Sequence, residues 1–394
     1  MIVRAAVPTR IAGIALIALG ASVATARAQA LPPITDRAWT LDLYDGAAIG
    51  SARIVGMGGV QLATAEGSAG TLANPAAPAV RPATSTERWD WDFHLDALSA
   101  VVASDFDNNG LADADRDDRR TSFGIAGVYG PWGVAIVGGA ATVGLPTPDG
   151  ALTASTSVGK LAVGYAPGDE TWSVGAAVRV GRLDVEGAQP MFALVGSGLE
   201  VGGLYRPFHR ALRIGAVASL AVPGKDVETA ACDPSDCAGY ILPQRVEVPW
   251  QVGVGVAWRF APTAWNQWVG GRFRDERQVI VAADLVVAGP VAGGMGLEAF
   301  ARKQWQPSGR AASWWLRGGV EWEALPGRVR LRGGSYWEPA RFAGVGGRVH
   351  ATGGVEVAVV SVRAWSRRYR IRAGVTADFA RAFGNAGLAV GFWH

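Results

Sequence analysis

Charge is what this chain has least of. Only 18% of its 394 residues are Asp, Glu, Lys or Arg, where a soluble protein carries roughly a quarter. Histidine is nearly absent as well. His94, His209, His350 and His394 are scattered, and none stands at metal spacing with Cys or carboxylate partners, so no His-based metal centre is expected. The formal charge of +3 is small for the length and no basic run is interleaved with stacking aromatics, so no nucleic-acid partner is expected. Past residue 30 no purely apolar stretch of eighteen or more residues occurs, which leaves no conventional spanning helix.

What is present is apolar, small and aromatic. The chain is 49% hydrophobic and holds 54 Gly and 16 Trp, with a mean hydropathy of +0.17. Glycine weakens helices but is tolerated in large sheets, and Trp favours the boundary between lipid and water. Residues 1–30 read as an export signal. Arg4 and Arg10 precede the apolar stretch Ile11 to Gly20, and Ala28-Gln29-Ala30 is a small-x-small cleavage site, with Ala26-Arg27-Ala28 competing. No Cys follows it, so no lipoprotein anchor is expected. A strongly apolar exported chain without spanning helices can satisfy its backbone in lipid in one other way, as a closed barrel.

Period-two alternation carries that reading. From Trp250 to Phe260, Trp250, Val252, Val254, Val256, Trp258 and Phe260 share one face. Gln251, Gly253, Gly255, Ala257 and Arg259 share the other. One face is apolar with aromatics at both ends, as a lipid-facing band requires, and the other is small or polar, as a lumen requires. Tyr369 to Phe379, Trp314 to Trp322, Val355 to Val359 and Trp89 to Leu95 repeat the pattern. Short turns at Gly130-Pro131, Pro167-Gly168, Arg206-Pro207 and Pro326-Gly327 alternate with longer loops near 104–120, 145–154, 184–191, 223–246, 289–312 and 338–348. The expected fold is all-β, a transmembrane antiparallel barrel of about fourteen strands. The first strand is expected near 86–103 and the last near 385–394, with residues 261–277 long enough to hide a further hairpin. Ala386, Leu388, Val390 and Phe392 resemble the last-strand signal read by the barrel assembly machinery, although Trp393 and His394 follow.

Residues 41–80 do not alternate. They contain Arg53-Ile54-Val55-Gly56-Met57-Gly58-Gly59 and, fifteen residues on, Asn74-Pro75-Ala76. Here the chain resembles the FadL-type outer-membrane transporters and the related PorV/PorQ-type barrels. That resemblance implies three segments: a signal peptide over 1–30, an N-terminal hatch over 31–84 inside the lumen, and the barrel over 85–394. The hatch motif would comprise Arg53, Gly56, Met57, Gly58, Gly59, Asn74, Pro75 and Ala76. The resemblance further implies transport of hydrophobic small molecules, of the fatty-acid or aromatic-hydrocarbon type, across the bacterial outer membrane. Exit could be sideways through a loosened wall strand, for which Gly138-Gly139 in the third strand is a candidate. The alternative is a PorV-like component of a secretion system that transports nothing. The chain departs from the family around Asn-Pro-Ala, with Leu72-Ala73 before it and Ala77-Pro78 after it. Physically, the glycines permit close backbone packing, while Pro75 keeps Asn74 out of the helical region and the Asn amide can cap the turn.

No catalytic set stands out, so no enzyme is expected. His94 between Asp92 and Asp96 is the nearest approach to one and reads as polar lumen lining. The lumen charges Asp90, Asp92, Asp96, Arg317, Arg330, Arg332, Arg370 and Arg372 need partners if buried. They are expected to form an ion lattice holding the hatch, or else to meet a substrate carboxylate. Asp105, Asp107, Asn109 and Asp113, with Gly110 between them, resemble the opening of a Ca²⁺ loop, although Arg116 stands where a closing Glu belongs. No other cofactor is expected. Cys232 and Cys237 bracket four residues in an outer loop, and an oxidising compartment would join them. The expected partners are the lipid bilayer, a hydrophobic small molecule and, during biogenesis, the barrel assembly machinery.

Overall fold

The computed structural model describes residues 31–44, 46–48, 50–85, 87–102, 104–111, 118–147, 150–224, 227, 232–364 and 367–392. The export signal read over 1–30 lies outside them, as do Asp113, Arg116, Trp393 and His394. The alternating segments form β1 (Trp89–Ala100), β2 (Asp118–Tyr129), β3 (Trp132–Thr147), β4 (Gly150–Tyr165), β5 (Trp172–Glu186), β6 (Pro190–Tyr205) and β7 (Leu212–Ser219). They continue as β8 (Gln251–Phe260), β9 (Val279–Ala288), β10 (Ser313–Leu325), β11 (Val329–Glu338), β12 (Arg348–Ala364), β13 (Arg367–Ala380) and β14 (Phe383–Phe392). Each strand pairs antiparallel with its sequence neighbours, and β14 returns to β1 from Asn385↔Ala100 to Gly391↔His94, closing a barrel. Residues 261–277 hold no strand, so the count stays at fourteen.

Closure explains the two faces. Outward positions such as Ile125, Ile136, Val163, Val178, Val201, Val254 and Val375 are exposed, while their inward neighbours are buried or half-buried. A belt of exposed aliphatics is stable only against hydrocarbon. At the short-turn end it finishes in aromatics: Trp132 lies 4.5 Å from Tyr165 and Trp172 lies 4.4 Å from Tyr205, ring centre to ring centre. No helix among the described residues is long and apolar enough to cross a membrane. Crossing is by strands.

The rim at the long-loop end is uneven. β4 and β6 run 16 residues, whereas β7 runs 8. Because β7 pairs with β6 only from Ser219↔Glu200 to Ile214↔Tyr205, the upper part of β6 lacks a β7 partner. The short side is covered by segments that carry no alternation in the sequence. Thr40–Asp42 pairs in parallel with Arg245–Val248 and with Gly294–Met295, and Val222–Pro223 completes a four-stranded sheet. Trp39, Leu41, Leu242, Met295 and Phe300 of this cap pack with Val143, Leu183, Met191 and Phe192 of the tall strands. Residues 32–43 therefore belong to the cap, not to a lumen plug that begins at 31. The third strand holds no break: β3 pairs without a register shift to both β2 and β4 across Gly138 and Gly139.

Candidate functional site

Between the cap and the short-turn end, residues 44–80 run along the inward face of the wall. Their first ordered piece is α1 (Ala52–Gly56), capped by Ser51, whose Oγ accepts from Ile54 N. The glycines of the motif end this helix. Gly58 N donates to Val55 O (3.0 Å) and Gly59 N to Ile54 O (2.8 Å), the paired bonds of a Schellman turn. Gly58 supplies the left-handed residue that the turn needs, with φ +67°, and a Cβ there would stand 2.7 Å from Ser335 N on the wall. Gly56 O accepts from Thr352 Oγ1 (3.2 Å), Gly59 O accepts from Arg317 Nη1 (3.3 Å), and Met57 is wholly buried among Val60, Ala257 and Ile280. Arg53 forks onto Glu321 of β10 through Nε (3.0 Å) and Nη2 (3.2 Å).

After α2 (Gly67–Thr71) the chain reaches Asn74, which is fully buried. Its Oδ1 accepts from Ala76 N, capping the turn as the dipeptide with Pro75 suggests. Its amide nitrogen reaches three carbonyls, Leu62 O (3.3 Å), Gly203 O (3.2 Å) and Ala216 O (3.3 Å). Asn74 is thus fully engaged with backbone, and Ala76 packs beside Ala65, Val80 and Leu204.

The wall holds this segment mainly by its main chain. Asp96 accepts from Ala52 N (2.8 Å), and Asp92 accepts from Ser68 N (2.8 Å). Asp284 accepts from both Gln61 N (2.8 Å) and Leu62 N (3.0 Å). Lys160 of β4 donates to Thr71 O (3.2 Å), Leu72 O (2.9 Å) and Glu200 of β6 (2.6 Å), which also accepts from Ser219 and lies 3.6 Å from Arg179. Asp90 sits nearer the short-turn end and accepts from Trp91 N.

The arginines of β13 turn away from the first strand's carboxylates. Arg372 meets Glu356 (2.8 Å) and donates to Phe392 O, while Arg370 forks onto Asp275 in the 261–277 turn (2.6 and 3.0 Å). Arg332 bridges Glu321 (2.7 Å) and Glu356 (3.1 Å), and Arg330 meets Glu323 (3.3 Å). The lattice is therefore a ladder of alternating charge, Arg372–Glu356–Arg332–Glu321–Arg53, that runs across four strands onto α1. His94 Nδ1 touches Ser68 Oγ at 3.0 Å. Its Nε2 has no hydrogen-bond partner among the described residues, so the carboxylate that a Ser/His nucleophile needs behind it is missing.

On the β2–β6 side the lumen is open. A cavity of about 440 Å³ lies between the inner segment and the wall, within the roughly 300–1,000 Å³ range of small-molecule sites. Leu62, Leu72, Val137, Val143, Leu183 and Leu194 are among its apolar lining, and Lys160, Arg179 and Glu200 supply a charged patch. Gly181 lines it too, and a Cβ there would meet nothing within 4 Å.

In the cap, Asp105, Asp107 and Glu298 of α3 (Leu297–Ala301) offer carboxylate oxygens within 4.8 Å of one another. All three are buried, and burial pushes the Asp105 carboxyl above its usual range. Such oxygens suit a hard divalent cation. The set differs from the one read along the loop. Asn109 spends its side-chain oxygen on Leu111 N, Asp105 accepts from Asn109 N and Gly110 N, and the third carboxylate comes from a distant segment. Burial likewise raises Asp42, which Arg341 meets at 3.0 Å beneath the cap. Cys232 and Cys237 are joined, S–S 1.98 Å.

Sequence reasoning missed Asp284, Lys160, Glu200 and Glu298. Asp284 left a trace, as a lone carboxylate in the apolar run Val279–Ala288 that sits in the inward register. The others became meaningful only with partners from distant segments.

No known family profile matches the sequence, and no curated protein matches it. Solved structures do. A Pseudomonas aeruginosa FadL homologue superposes with a TM-score of 0.51 at 11% identity, covering 87% of this chain and 97% of that one. The Ralstonia pickettii toluene transporter TbuX gives 0.51 at 15% identity, covering 88% and 99%. The monoaromatic hydrocarbon channel CymD gives 0.54 at 12% identity, covering 89% and 97%. The fold of this chain is that of the FadL-type outer-membrane transporters.

Proposed function

We propose that the protein sits in the bacterial outer membrane and passes hydrophobic small molecules across it, with residues 44–80 acting as a hatch. The observation that carries this reading is the cavity of about 440 Å³, closed on one side by the inner segment and lined largely by aliphatic side chains. An apolar solute gains roughly 25 cal/mol for each Å² of its surface that leaves water in such a space. The similar structures are those of a toluene transporter and a monoaromatic hydrocarbon channel, and an aromatic hydrocarbon or a fatty acyl chain is the substrate class we propose.

The route we propose uses the upper edge of β6. Leu194 and Gly196 of that edge line the cavity, while Val195 and Leu199 beside them face outward and exposed. A molecule passing there would go from cavity to hydrocarbon without crossing water. The hatch would have to shift for passage toward the short-turn end. Its grips are hydrogen bonds from charged wall side chains to its main chain, each worth about 1.5–3 kcal/mol, together with the ion pairs of Arg53 and Glu66, so they must be exchanged one at a time.

Equilibrium binding of labelled toluene and of a labelled long-chain fatty acid to the purified protein in detergent tests the reading. Saturable retention of at least one of them supports it. Retention of neither, with secreted proteins co-purifying instead, would favour the secretion-component alternative.

A further inference from the structure

A second concavity opens at the short-turn end, opposite the cap, with a volume of about 110 Å³. It is lined by both the inner segment and the turns, and its chemistry differs from that of the apolar cavity. Seven arginines line it against four carboxylates (Glu66, Asp169, Glu170 and Glu321). Most of the arginines are matched: Arg53 by Glu321, Arg213 by Glu66, Arg259 by Glu276 and Arg330 by Glu323. Arg81, Arg206 and Arg274 remain. Asp169 is engaged with Thr171, which leaves Glu170 as one carboxylate shared in long ion pairs by Arg81 and Arg206, 3.7 Å from each.

Arg206 is the informative one. It follows the last residue of β6, its side chain is only 6% exposed, and Nε and Nη2 have no hydrogen-bond partner among the described residues. These two nitrogens form one edge of the guanidinium. The same edge grips Glu321 from Arg53 and Asp184 from Arg182 elsewhere in the chain. An arginine cannot shed its proton to escape such a position. Burial holds the Arg206 guanidinium below its ordinary range despite Glu170 and Glu66, as expected of a cation whose neighbours do not repay its desolvation. Arg274 adds a second unpartnered donor, Nε, while its other nitrogens donate to Trp265 O (2.8 Å) and Gln267 O (2.7 Å).

We propose that this pocket binds one oxyanion of the phosphate class on the Nε/Nη2 edge of Arg206, taking the place that the Glu170 carboxylate holds beside Nη2, with Arg81 and Arg274 supplying further positive charge. A free phosphate and the phosphodiester of a lipid headgroup share this chemistry. Short turns of membrane barrels face the periplasm, and the exposed aromatics Phe208 and Trp268 border the pocket, so both sources could reach it.

The test is calorimetric titration of the full chain in a neutral detergent, with inorganic phosphate in one arm and a water-soluble short-chain phosphatidylglycerol in the other. One saturable site is expected. Arg206→Gln should weaken it about tenfold or more, since it removes a charge-assisted bidentate contact. Arg206→Lys, which keeps the charge but loses the fork, should weaken it less. Arg182→Gln, on an exposed pair, should change nothing. Binding in the lipid arm alone assigns the headgroup, and binding in the phosphate arm alone assigns the free ion. Binding in neither arm, or binding that Arg206→Gln leaves intact, overturns the proposal. Each variant is judged on protein that still migrates as a folded barrel before heating. If neither Arg206 variant folds, Arg274→Gln decides: reduced affinity sustains the proposal and unchanged affinity ends it.

Discussion

Along β10–β13 the lumen is filled with charge, and along β2–β6 it is left open. On the first side Arg372, Glu356, Arg332, Glu321 and Arg53 form a continuous ladder that reaches α1, and almost every group in it is buried. On the second side the wall presents small or aliphatic residues such as Gly181, Gly196, Ala141 and Val137, and the inner segment stands back from them. One side anchors the segment and the other gives a solute somewhere to be. A lumen of this kind teaches that holding an inner segment and keeping a cavity open need not compete for the same surface.

Lys160 is the charged tie on the open side, and it offers the strongest way to break the contrast. It ties α2 to the open side while neutralising Glu200. Lys160→Met leaves a buried carboxylate with Arg179 at 3.6 Å as its remaining cation, and a loss of about 3 kcal/mol follows. The midpoint of denaturant unfolding in detergent should fall accordingly, and Lys160→Met with Glu200→Gln should recover most of the loss.

Asp284→Ala comes next. It strips the acceptor from two adjacent amides of the inner segment and should cost about 1–3 kcal/mol, read as faster hydrogen exchange at Gln61 and Leu62 and as ion conductance in planar bilayers. Asp284→Asn keeps an acceptor oxygen and should remain near the parent protein. Replacing both Cys232 and Cys237 by Ser should be milder still. It frees a loop in the cap, costs at most about 2 kcal/mol, and should leave the conductance of the barrel unchanged.

The barrel was legible because its cause is local. When one face meets lipid, every second residue must be apolar, so Trp250–Phe260 declares itself without reference to any other strand. The Gly56-Met57-Gly58-Gly59 run was legible for a similar reason, since a helix ending in a left-handed residue needs glycine whatever surrounds it. The charge pairing was not. Arg372 and Asp96 come from strands separated only by β14, yet Arg372 goes to Glu356 and Asp96 goes to a backbone amide. Those choices depend on register and on the path of the inner segment. The cap was hidden too, because its strands are two to four residues long and too short to alternate. Residues 261–277 raised the question of a hairpin, but their work is to pack Trp265 against the inner segment and to lend Asn266 to the neighbouring turn, with Arg274 tying the segment to itself.

Gly181→Phe should disturb stability least of all, since nothing stands within 4 Å of the new Cβ, and it adds an aromatic ring to the lining of the cavity. Uptake of labelled toluene or fatty acid into vesicles carrying the parent or the Gly181→Phe protein therefore tests the account most directly. Saturable uptake by the parent, abolished in a Gly181→Phe barrel of unchanged thermal stability, is the result predicted. Equal uptake by both, or none by either, contradicts it.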